Sequence, residues 1–132
     1  VEFLEEVKRR GILLGIATSN DRRIAETALK ARGLSAYFDS VRTSCEVAAG
    51  KPAPDVYLKV AEDLGVAPDE CLVFEDVPNG ILAGKNAGME VCAVYDEFSE
   101  KDDPEKRRLA DYFIRDFFEI MDHTYEKCGA AE

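Results

Sequence analysis

Short apolar runs alternate with amphipathic helical stretches along almost the whole chain, and few folds accept that pattern. Ile12-Leu13-Leu14-Gly15-Ile16-Ala17, Cys71-Leu72-Val73-Phe74 and Val91 to Tyr95 are too short for buried helices. Such continuous runs, with turn residues around them, read as strands buried on both faces. A further strand is expected near Ser40 to Ser44, and an edge strand at Tyr112-Phe113-Ile114. Between them the spacing predicts helices over Val1 to Arg10, Arg22 to Arg32, Pro54 to Leu64, Ile81 to Ala87, Pro104 to Leu109 and Phe117 to Tyr125. Gly11, Gly33, Gly65 and Gly88 stand at helix ends, where a left-handed residue closes the last turn. Strand and helix in regular alternation give an α/β class with a mainly parallel sheet. The 132 residues fit one domain, with no internal repeat.

The formal net charge of −10 argues against nucleic acid, whose phosphates reward clustered Lys and Arg. A small phosphorylated molecule is still admissible, because a local cationic pocket can work inside a negative surface. No apolar run approaches the ~20 residues of a membrane span. Cys45, Cys71, Cys92 and Cys128 form no C-x-x-C pair, which suits free thiols in a cytoplasmic setting. The single histidine, His123, lies among polar residues and reads as a surface group.

In an open α/β sheet, ligands gather outside the carboxyl ends of the strands. The first strand here delivers Thr18-Ser19-Asn20, the second leads to Lys51, and the third ends in Glu75-Asp76. Hydroxyls and free N–H groups at a helix start suit an anion, although Ser19, Asn20 or Asp21 could equally be plain caps. Lys51 lies in Gly50-Lys51-Pro52-Ala53-Pro54, just ahead of a helix, where a cation is disfavoured unless an anion answers it. Adjacent carboxylates at Glu75 and Asp76 repel unless a cation or hydrogen-bond donors intervene. Mg²⁺ takes one or two carboxylates and fills its remaining positions with water and phosphate oxygens. A solvated Lys51 and a loop pair at Glu75-Asp76 are the alternatives.

Taken together and in this order, the three elements resemble the haloacid dehalogenase (HAD) superfamily, in its β-phosphoglucomutase-like and phosphoglycolate-phosphatase-like subgroup. Ile16-Ala17-Thr18-Ser19-Asn20 is similar to the second motif of that family, Gly50-Lys51-Pro52-Ala53-Pro54-Asp55-Val56-Tyr57 to the third, and Val73-Phe74-Glu75-Asp76-Val77-Pro78-Asn79-Gly80-Ile81 with Asn86-Ala87-Gly88-Met89 to the fourth. The resemblance implies that Thr18, with Ser19 and Asn20, binds a phosphoryl group. It implies that Lys51 neutralises nucleophile and phosphate. Asp76 would hold Mg²⁺, with Glu75 as a ligand or a partner one layer out.

The family's first motif, D-x-D-G-T or similar, has no counterpart here, and neither does its cap segment. The expectation is therefore an incomplete Rossmannoid core, whose missing first strand would lie between the strands that carry Thr18 and Asp76. The gap would be filled by an N-terminal segment, by a second chain, or by direct pairing of the flanking strands. The expected function is a phosphohydrolase or phosphomutase core working through an aspartyl-phosphate on a small phosphorylated metabolite, inactive as this chain alone. The alternative is a non-catalytic phosphate- or metal-binding relic. A receiver-type domain is disfavoured, because there the acidic pair precedes the Thr and the Lys.

Overall fold

The computed structural model describes residues 2–19, 21–43, 46–47 and 49–128. In chain order these form α1 (Glu2–Arg9), β1 (Gly15–Thr18), α2 (Arg22–Ala31), β2 (Ser40–Thr43), α3 (Asp55–Leu64) and β3 (Leu72–Glu75). Then follow α4 (Pro78–Asn86), β4 (Glu90–Val94), α5 (Asp103–Leu109), β5 (Tyr112–Ile114), α6 (Phe118–Met121) and β6 (Glu126–Lys127).

The strands do not make one sheet. Among the described residues β1 pairs in parallel with β2 alone, while β3, β4, β5 and β6 form a separate sheet in that order. Direct pairing of β1 with β3, one of three ways to close the gap, does not occur. Leu13 just before β1 and Leu72 at the start of β3 are 46% exposed, consistent with strands that lack a neighbour. The expectation of strands buried on both faces therefore holds for β4 but fails for β1 and for the first residue of β3.

Two helices span the gap. On one face α3 carries Val56, Tyr57 and Ala61 inward, at the i, i+1 and i+5 spacing of a single helix side. These residues share one core with Val73 of β3, Ile81 of α4 and Val91 of β4. The same helix reaches β1 at Gly15, where a Cβ would collide with Val60. On the other face α1 ties Lys8 to Asp39 at 3.1 Å, ahead of β2. Its Phe3 ring meets Phe74 of β3 at 5.9 Å and Phe117 at 5.0 Å.

Several boundaries differ from the expected ones for local reasons. The first strand starts at Gly15 rather than Ile12, because its ladder partner begins opposite it at Ser40. Helix α4 starts at Pro78 rather than Ile81, with proline in the first turn where its missing N–H costs nothing. Strand β5 is an interior strand, since β6 pairs antiparallel on its far side. The closing helix is only four residues, ended by His123 at φ +60°, and the chain then turns into β6. Helix α2 buries none of its residues, and Ile24 is 54% exposed.

Candidate functional site

Parallel topology sends the carboxyl ends of β1, β3 and β4 to a common rim, and the loops beyond them carry the polar groups. A cleft of about 550 Å³ opens there, lined by Ile16, Ala17, Thr18, Ser19, Lys51, Phe74, Glu75, Asp76, Val94 and Phe117. Residues from both sheets face it, so the cleft occupies the upper part of the gap between β1 and β3. A second hollow of about 570 Å³ lies beside α3, lined by Val47, Asp55, Leu58, Lys59 and Glu62, and shares none of these groups.

Of the groups picked out in the sequence, Thr18, Ser19, Lys51, Glu75 and Asp76 all line this one cleft. Asn20 lies outside the described residues. Ser19 is exposed, and Asp21 is the cap of α2, accepting from the Ile24 amide at 2.9 Å. Ser19 is thus not needed as the cap.

Lys51 crosses the gap. Its ammonium donates to the Ala17 carbonyl of β1 at 3.2 Å and to the Glu75 carboxylate of β3. The Tyr57 hydroxyl donates to the same Glu75 oxygen, and the Lys51 ammonium lies 5.0 Å from the centre of the Tyr57 ring. Side-chain exposures of 13% for Lys51 and 9% for Glu75 put the ion pair largely out of water. Burial first, and then the charge and hydrogen bond of Glu75, hold the Tyr57 hydroxyl far above its ordinary pKa, so it remains a donor. Gly80 completes the seat, for a Cβ at that position would run into the Glu75 carboxyl group.

Glu75 and Asp76, neighbours in sequence, therefore differ in state. The Glu75 carboxylate is engaged by a cation and a phenol. Asp76 is exposed, and its carboxylate makes no hydrogen bond or ion pair among the described residues. One uncommitted carboxylate beside a cationic anion seat suits Mg²⁺ shared with a phosphate. No three His, Cys, Asp or Glu among the described residues could hold a metal between them. A metal at Asp76 would need ligands from elsewhere.

Tyr57 is the site residue that the sequence reading missed. It sits on the apolar face of α3 and looks like any core aromatic. The only hint is its position six residues after Lys51, which brings it back beside that lysine one turn into the helix. None of the described cysteines lines the cleft. Burial pushes the Cys92 thiol up to about 12, and Cys71 and Cys128 are raised for the same first reason. No described helix is long and apolar enough to cross a membrane.

Comparison with known proteins places this geometry among relatives. A model of the haloacid dehalogenase-like hydrolases matches residues 1–88. The phosphorylated carbohydrates phosphatase of Thermotoga maritima is 44% identical over 89 residues, covering 67% of this chain and 41% of that protein. The validoxylamine A 7'-phosphate phosphatase of Streptomyces hygroscopicus subsp. limoneus is 34% identical over 120 residues, 91% of this chain and 54% of that protein. The crystal structure of β-phosphoglucomutase from Clostridium difficile superposes with a TM-score of 0.75 at 26% identity, over 93% of this chain and 53% of that one. The chain spans about half the length of the relatives it matches.

Proposed function

Because the chain belongs to the haloacid dehalogenase-like hydrolases, among their phosphatases and β-phosphoglucomutase-like proteins, we propose that it is the phosphate-binding part of a phosphoryl-transfer core. The whole protein would act on a small phosphorylated metabolite, as the phosphorylated carbohydrates phosphatase and the validoxylamine A 7'-phosphate phosphatase that it resembles do. The observation that carries this reading is the position of Lys51. Its ammonium stands across the mouth of the gap, in one cleft with Thr18, Ser19 and Asp76.

In the proposed reaction an aspartate on a strand seated in the gap attacks phosphorus in line. The P–O ester bond breaks as the acyl-phosphate bond forms, and the ester oxygen leaves with a proton. Water then cleaves the acyl-phosphate and restores the carboxylate. Lys51 neutralises charge shared by the nucleophile and the phosphoryl oxygens, and Thr18 and Ser19, with Asn20, donate to those oxygens. Mg²⁺ held by Asp76 would supply further charge neutralisation. Glu75, gripped by Lys51 and Tyr57, serves chiefly to aim the ammonium.

The test is Mg²⁺-dependent hydrolysis of p-nitrophenyl phosphate, with and without a segment that supplies a D-x-D strand. This chain alone is expected to be inactive, and the completed protein active, with Lys51→Ala losing at least ~100-fold. Robust turnover by the isolated chain would refute the divided site. Phosphate or Mg²⁺ binding with no turnover after completion would favour the binding-module reading instead.

A further inference from the structure

Of the four buried polar or charged residues among those described (Ser40, Thr43, Ser99 and Lys106), two lie together behind the Asp76 loop, and the proposed reaction uses neither. Lys106 of α5 is 0% exposed. Its ammonium donates to the Val94 carbonyl at 3.0 Å and to the Ser99 hydroxyl at 3.1 Å. Asp103 Oδ1, one helical turn back, lies 3.4 Å away and is itself buried without a hydrogen bond. An ammonium has three protons and no acceptor. The Ser99 oxygen must therefore accept from Lys106, and its one proton is left to donate elsewhere. It donates to the backbone carbonyl of Asp76 at 2.8 Å.

We propose that Lys106 and Ser99 are positioning residues, forming a strut that fixes the Asp76 carbonyl and so sets where the Asp76 carboxylate stands at the rim. A methionine would fill the volume of Lys106 without the desolvation that a buried ammonium suffers. What the lysine adds is direction, because it anchors the end of β4 and the Glu97–Asp102 turn to the same point. The loop it holds is only Asp76-Val77, between the end of β3 and the start of α4. Val77, the cap position of α4, offers no side-chain cap, and the Ser99 hydroxyl holds the loop from outside it. The functional meaning of the strut rests on Asp76 as the metal carboxylate. Its mechanical effect does not.

Both can be read by ¹H–¹⁵N NMR, the strut on the whole 132-residue chain and the metal on the same chain completed by a D-x-D segment. Amide exchange at Gly80 and Ile81, which both donate to the Val77 carbonyl, reports on the loop without metal. The Asp76 and Val77 amide shifts report on a Mg²⁺ titration. Ser99→Ala is expected to accelerate exchange roughly two- to tenfold, the effect of one hydrogen bond, and to weaken Mg²⁺ by a similar factor. Ser99→Thr should restore both. Lys106→Met with Asp103→Asn should reproduce the Ser99→Ala pattern. Ser40→Ala, which removes a buried hydroxyl of β2 that donates to Asp63 of α3 at 2.8 Å, should change neither. Unchanged exchange in Ser99→Ala, or equal acceleration by Ser40→Ala, would overturn the strut. Absence of Mg²⁺ shifts in the wild-type protein completed by a D-x-D segment would instead sink the metal reading, with the exchange rates still deciding the strut.

Discussion

At the scale of single residues, the informative contrast is between Glu75 and Asp76. Both stand at the end of the same strand, and nothing in their side chains separates them. Their partners do: Lys51 and Tyr57 hold one, while the other faces the open rim. The ion pair is 13% and 9% exposed, so removing one member strands a poorly hydrated charge. Lys51→Met is expected to destabilise the chain by roughly 2–4 kcal/mol in urea unfolding. Adding Glu75→Gln should recover part of that loss, since a neutral amide still accepts from Tyr57. Strictly additive losses would show that the pair is not coupled. Lys51 and Asp76 were legible in sequence because each breaks a local rule, a cation before a helix and paired carboxylates after a strand. Tyr57, Ser99 and Lys106 were not, because each obeys one: an aromatic on an apolar face, a serine in an acidic loop, a lysine in the last turns of a helix.

Among elements, α4 shows most clearly what packing demands. Its Gly84 lies against β4, where a Cβ would stand 2.6 Å from Val91 Cγ2 and 3.4 Å from Val73. Alanine at this helical position would ordinarily favour the helix by about 1 kcal/mol. Here overpacking should outweigh that gain, and Gly84→Ala is expected to lower stability by about 1–3 kcal/mol. A thermal midpoint at or above the wild-type value would mean that helix and strand part easily. Element identity was otherwise largely readable, because glycines with φ between +69° and +82° mark the ends of short periodic segments. The readings failed where tertiary pairing decides. α6 ends at Met121, short of the expected Tyr125, ahead of the turn into β6, and Pro78 draws the start of α4 back to the site loop.

For the whole molecule, the governing feature is a sheet in two parts, joined across the gap by α3, α1 and one lysine. The absent D-x-D motif made a gap legible in advance. It did not say whether β1 and β3 would close on each other, because that depends on how firmly the helices hold them apart. Among the described residues β1 pairs only with β2 and β3 only with β4, so each has an inner edge along which a further strand could run. A peptide carrying a D-x-D strand is therefore expected to slow amide exchange along β1 and β3 together and to raise the unfolding temperature. Protection of only one of the two strands would mean that the peptide docks on an edge and not between them.

Lys51 touches both halves at once, and this makes anion binding and the seating of the halves thermodynamically reciprocal. Whatever free energy a phosphate gains by drawing the ammonium off the Ala17 carbonyl is lost from the tie between the two sheets, and a tighter tie must weaken the phosphate by the same factor. Occupancy and assembly would then be one linked equilibrium, each opposing the other.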